Sequence, residues 1–143
     1  MNSVSTFETE TIAAPVVTEV RIPAGLLGFE RIKDYLLVAN PAEEPFRWLQ
    51  VKNDAALAFV VIDPFLVQPE YQPDIPQTDV EFLGLTDSRD ALLFNIVTVY
   101  SPTRATVNLK GPIVFNRRTM IGKQVVLANA NTYSVQHPLS LGA

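Results

Sequence analysis

Apolar and polar positions in this chain alternate in short runs cut by proline and glycine, a pattern of strands rather than helices. Val16–Ile22 (VVTEVRI) alternates until Pro23, and Tyr35–Ala39 is a second run closed by Asn40-Pro41. Phe46–Val51 (FRWLQV) sets Phe46, Trp48 and Gln50 on one face and Arg47, Leu49 and Val51 on the other. Ala58–Ile62 (AFVVI) is apolar on both faces, which predicts a central strand stopped by Asp63-Pro64. Ala91–Tyr100 (ALLFNIVTVY) is the longest run. Beyond it, Ala105–Leu127 holds three short ones: Ala105–Leu109, Pro112–Asn116 and Gly122–Leu127. Lys110-Gly111-Pro112 and the cationic turn Arg117-Arg118-Thr119-Met120 separate them. Val, Ile, Phe and Thr fill these runs, as suits a pleated, half-buried surface.

One segment departs from the two-residue period. Thr78–Leu85 (TDVEFLGL) predicts a short helix with Thr78 as N-cap and Glu81 at the capping-box spacing. Val80 and Leu83, with Phe82 as a third candidate, would face the core, and Gly84 would end the helix. Ahead of it, Pro64, Pro69, Pro73 and Pro76 predict an extended surface segment, because proline removes a donor and restricts its predecessor. In Pro23–Glu30 (PAGLLGFE), two glycines bracket two leucines, which predicts a tight turn or one helical turn with Leu26, Leu27 and Phe29 turned inward. Tyr133–Leu139 reads as a tail in which Pro138 ends regular pairing. The polar start, Met1–Ala14, predicts a flexible arm over residues 1–15, ahead of a single domain over 16–143. Many short strands and one short helix make the fold all-β: a small, single-domain, antiparallel, barrel-like architecture.

Composition bounds this picture. The 143 residues suffice for one domain with a full core, and 48% apolar against 18% charged content fits a folded protein. With no cysteine, disulfide and thiolate-metal frameworks are excluded. Met1–Thr6 lacks the basic head and apolar run of a signal peptide, and no apolar run approaches the ~18–20 residues of a membrane span. A soluble, cytoplasmic protein is expected. The net charge of −4 is unevenly spread: all fifteen carboxylates and six of the eleven bases lie in residues 1–90, leaving five bases and no acid in 91–143. Asp63–Asp90 alone carries seven acids against one base, Arg89. Such asymmetry either steers a charged macromolecule or lets two halves of the fold complement each other.

Catalytic chemistry finds little support. The lone histidine, His137, stands beside Pro138 with no cysteine anywhere to activate. The carboxylates form no calcium loop, and Gly25–Gly28 lacks the Lys and Ser/Thr of a phosphate loop. Asp79/Glu81 and Asp87/Asp90 lie on or beside an exposed helix, where solvated charge is the default. No enzyme, metal or cofactor is expected. Arg104, Lys110, Arg117, Arg118 and Lys123 suggest a basic patch for RNA, but Tyr100 and Phe115 are its only aromatic company and the pI near 4.9 has the wrong sign. A protein-binding module fits better. Phe65, Tyr71 and Phe82 interleave with Asp63, Glu70, Asp74, Asp79 and Glu81, the aromatic anchors and charged rim of an interface. The plainer reading is that Phe65 and Tyr71 only tack a loop onto the barrel.

Seven stretches, in order and with family-like spacing, resemble the flagellar assembly factor FliW family. They are Pro23–Glu30 (PAGLLGFE), Pro45–Val51 (PFRWLQV), Ala58–Pro64 (AFVVIDP), Asn95–Val99 (NIVTV), Asn108–Asn116 (NLKGPIVFN), Gly122–Leu127 (GKQVVL) and Tyr133–Leu139 (YSVQHPL). Together they span about residues 17–139. The family commonly has Ala where Val107 and Gly111 stand, and Gly111 would loosen its turn. The resemblance implies a non-enzymatic cytoplasmic protein that binds the translational regulator CsrA, relieving repression of flagellin messenger RNA from outside the RNA-binding surface. It also implies binding to flagellin, so that the two partners compete. CsrA-like proteins are basic, so the expected contact is the acidic segment: Asp63, Phe65, Glu70, Tyr71, Asp74, Asp79 and Glu81. Flagellin would use an apolar groove or a strand edge that the sequence does not locate. A binding module with another protein partner, or a basic-face RNA binder, are the alternatives.

Overall fold

The alternating runs become nine strands in the computed structural model, which describes residues 14–140. Apart from Ala14 and Pro15, the expected N-terminal arm lies outside the described residues. The strands are β1 (Val16–Arg21), β2 (Asp34–Ala39), β3 (Arg47–Val51), β4 (Asp54–Ile62), β5 (Ala91–Ser101), β6 (Arg104–Val107), β7 (Ile113–Asn116), β8 (Gly122–Gln124) and β9 (His137–Ser140). All ladders are antiparallel, in the order β1-β2-β3-β4-β5-β6-β9, with β7 pairing β5 and β8.

β5 is long enough to serve two ladders. Its first four residues pair with β7, from Ala91↔Asn116 to Phe94↔Ile113, and its later part pairs with β6 and β4. The sheet curls without closing into a continuous barrel: β1 meets the run into β8 only through a parallel bridge, Arg21↔Ile121, with Arg21 N–H donating to Met120 O at 3.1 Å.

Alternation places the core as the sequence predicts for β2 and β3, where Tyr35, Leu37, Leu49 and Val51 are buried. Two packed clusters result. Val20, Ile22, Leu26, Tyr35, Leu49, Val61, Phe94, Ile113 and Phe115 form one; Ile62, Tyr71, Leu83, Val97, Val107, Leu109, Val114, Val125 and Leu127 form the other. β7 contributes Ile113 and Phe115 to the first and Val114 to the second, so it is the partition between them and is buried on both faces. Gly122 on β8 is required for this: a Cβ there would stand 2.4 Å from the Phe115 ring.

Several expectations are corrected. The proline-rich segment is not wholly extended, because α1 (Pro64–Val67) makes one helical turn there. Proline suits the first helical position, and the Asp63 carboxylate accepts from Phe65 N–H at 2.9 Å to cap it. The second helix, α2, runs Gln77–Leu83, and Thr78 does not cap it: Pro76 holds the cap position with no side-chain hydrogen bond. Gly84 ends it at φ 68°, as expected. The inward face carries Asp79 and Leu83, one turn apart, while Phe82 is exposed. Pro138 does not end pairing but sits opposite Thr106 in β9, an edge strand where a missing donor is tolerated. Leu26 is buried as expected, yet Leu27 is 79% exposed and Phe29 stays partly in solvent, its ring edge-on to Phe59. Among the described residues, no helix is long and apolar enough to cross a membrane.

Candidate protein-binding surface

The acidic segment is built outward from Tyr71. Its ring packs edge-on against Tyr133, centroids 4.8 Å apart, and against Phe65 at 5.8 Å. Its hydroxyl donates to Leu109 O at 2.7 Å in the core. Burial of the phenol pushes its pKa up to about 12, since the phenolate would lose its hydration. Tyr71 is 3% exposed, so it anchors the segment from beneath rather than facing outward. Phe65, at 44%, keeps nearly half its surface in solvent.

Beyond Tyr71 the chain forms a strap fixed to the turn after Val126. Asp74 N–H donates to Asn129 Oδ1 at 3.0 Å, Asn129 Nδ2 donates to Gln72 O at 2.8 Å, and Ala128 N–H donates to Asp74 O at 2.8 Å. The Tyr133 hydroxyl accepts from Gln72 N–H at 2.9 Å. These bonds occupy the Asp74 backbone and leave its carboxylate in solvent.

Folding pairs some of the acids with the basic half. Asp79, expected in solvent, is 7% exposed and pairs with Lys123 of β8, which lies over the helix. Asp90 pairs with Arg118 at 3.2 Å, and Asp87 with its neighbour Arg89 at 3.0 Å, which holds the Asp87 carboxyl below the usual range. Asp63, Glu70, Asp74 and Glu81 make no ion pair among the described residues. Of the seven residues selected from sequence, five thus reach solvent and two, Tyr71 and Asp79, hold the surface from below. The basic residues are scattered and partly engaged: Arg104 stacks on Tyr100 at 4.4 Å, while Arg118 and Lys123 face carboxylates.

Two apolar grooves complete the surface. One, of about 410 Å³, opens between α1, the strap, α2 and β5, and is lined by Phe65, Pro73, Ile75, Val80, Leu85 and Leu93, with Asp87 at its border. The other, of about 330 Å³, lies between Gly25-Leu26-Leu27 and Val125-Val126, with Lys110, Ala130 and Val135 on its walls. Leu27 and Val126, 79% and 73% exposed, stand at its mouth, and Leu27 N–H is held by Gln124 Oε1 at 2.9 Å. The grooves share no lining residue. The second was missed in the sequence; the available signal was the pair of leucines between glycines, of which only Leu26 has a place in the core.

The fold places the chain among small, antiparallel, barrel-like β proteins with an unevenly charged surface. The family described as FliW protein matches residues 3–139. Flagellar assembly factor FliW of Leptospira biflexa serovar Patoc is 40% identical over 114 residues, covering 78% of this chain and 74% of that one. Flagellar assembly factor FliW of Syntrophus aciditrophicus is 44% identical over 107 residues, covering 74% and 68%. A crystal structure of the flagellar assembly factor FliW superposes with a TM-score of 0.75 at 39% identity, covering 84% of each chain. The chain belongs to the FliW family of flagellar assembly factors.

Proposed function

We propose that this protein is a non-enzymatic cytoplasmic regulator that exchanges two protein partners. Its acidic surface engages a CsrA-type translational regulator and relieves repression of flagellin messenger RNA. Flagellin, occupying the second surface, displaces that regulator. The observation that carries the reading is the set of four acids, Asp63, Glu70, Asp74 and Glu81, left without ion pairs among the described residues in a protein of this family. A basic RNA-binding partner is attracted to such a face, and the attraction acts mainly on encounter and orientation.

The groove behind Leu27 and Val126 suits the second partner, because its walls are apolar and an amphipathic segment can bury one face there. The Gln72–Asp74 strap gives the two surfaces a mechanical connection, being tied to Ala128 and Asn129 in the turn that follows Val126. Occupancy on one side can then oppose occupancy on the other without overlap. In the test, affinity for a CsrA-type protein is measured across a salt series for the parent chain and for Asp74→Lys plus Glu81→Lys. The variant is expected to bind at least about tenfold more weakly with a flatter salt dependence. Unchanged affinity and salt dependence would remove the acidic face from the account.

A further inference from the structure

The groove under the strap has an apolar floor, the uncharged Thr86 and Ser88 on its lining, and an acid-rich border. Asp74 lies between the lining residues Pro73 and Ile75, Glu81 follows Val80 in α2, and Asp87 lines the far end. Residues 63–88 contain no Lys or Arg, and the next cation, Arg89, is held by Asp87 at 3.0 Å. The floor comes from three separate parts of the chain: Phe65 of α1, Ile75 of the strap, and Val80, Leu85 and Leu93 around α2 and β5. A volume of about 410 Å³ is toward the low end of ligand pockets, typically ~300–1,000 Å³, so it holds one or two large side chains rather than a whole helix face.

These constraints select the occupant. Apolar walls favour an aliphatic or aromatic group that loses its hydration on entry. The border repels a segment carrying Asp or Glu and attracts one carrying Lys or Arg, while an uncharged apolar molecule leaves the acids unused. We propose that this groove takes an apolar anchor side chain from a partner protein segment in which Lys or Arg flank the anchor on both sides. The proposal deepens the reading above by saying what the acidic face holds, and it depends on that reading only for which protein carries the segment.

The test uses the full chain and three short synthetic peptides: a Leu-Phe pair between lysine pairs, the same pair between glutamate pairs, and Ser-Ser between lysine pairs. Binding is followed by anisotropy and by methyl NMR of Ile75, Val80, Leu85 and Leu93. The lysine-flanked Leu-Phe peptide is expected to shift those methyls and to bind about tenfold more tightly than either control. Its advantage over the Ser-Ser peptide is expected to fall in a Val80→Ser variant with an unchanged circular dichroism spectrum. Equal binding of the lysine- and glutamate-flanked peptides, or shifts confined to Leu27 and Val126, would overturn it. So would shifts of the groove methyls with protein concentration alone, which would assign the groove to a second copy of the chain. The two readings fail separately: groove methyls that respond to the peptide while a CsrA-type protein does not bind leave this proposal standing without the function above. A CsrA-type protein that binds while leaving those methyls unmoved sinks this proposal alone.

Discussion

Tyr71 joins the acidic segment to the core through its ring contacts with Phe65 and Tyr133 and its hydroxyl bond to Leu109 O. Tyr71→Phe keeps the ring and strips the donor, leaving the Leu109 carbonyl without it. A loss of about 1–2 kcal/mol in chemical denaturation at neutral pH is expected. The phenol titrates higher in the fold than in the unfolded chain, so its stabilising contribution is complete below pH 10 and is lost as pH rises from 10 toward about 12. The parent should therefore lose more stability than Tyr71→Phe across that interval, and parallel profiles would show that the phenol is not the group responsible. Tyr71 and Asp79 were legible in the sequence as members of an acidic, aromatic segment. Their burial was not, because the groups that hold them, Leu109 and Lys123, lie 38 and 44 residues away along the chain.

Strands were the readable elements, since one buried face imposes a period of two wherever the sheet is half covered. Their ends were less so. The run expected to reach Leu109 stops at Val107, because Leu109 N–H turns away to Ser134 O at 3.0 Å and Asn95 Nδ2 takes the Asn108 carbonyl at 2.7 Å. The run expected to reach Leu127 stops at Gln124: Val125 N–H still bonds Pro112 O at 2.9 Å, but proline has no N–H to return to the ladder. Turns can be tested through their glycines. Gly25 sits at φ 71°, and an added Cβ would lie 2.4 Å from the Glu30 Cα, so Gly25→Ala should cost about 2 kcal/mol. At Gly111 φ is not in the left-handed region, and a Cβ would meet the Asn108 and Gln124 side-chain amides at 3.4 and 3.5 Å and the Val125 carbonyl at an ordinary 3.8 Å. Gly111→Ala should instead stabilise the chain by about 0.5 kcal/mol through the unfolded state. Denaturation midpoints moving in opposite directions would support both assignments; a loss at Gly111 would mean that Asn108 and Gln124 cannot give way.

Across the whole molecule, folding divides the charge in a way that the sequence left open between two readings. Both hold in part. Lys123 and Arg118 neutralise Asp79 and Asp90, while Asp63, Glu70, Asp74 and Glu81 have no cationic partner among the described residues. The acidic face and the groove behind Leu27 are separate surfaces, connected by the strap through Asn129. The grooves were not readable because each is assembled from segments distant in sequence, such as Leu27 with Val126, or Phe65 with Leu93. Partner exchange requires the two surfaces to oppose one another, and a calorimetric titration reads this directly. The full chain is titrated with a CsrA-type protein, first alone and then after saturation with flagellin. The account predicts a saturable complex in the first titration and a loss of at least about tenfold in apparent affinity in the second, which corresponds to ~1.4 kcal/mol of coupling. Equal affinity in the two titrations, or no heat of binding in the first, would contradict it.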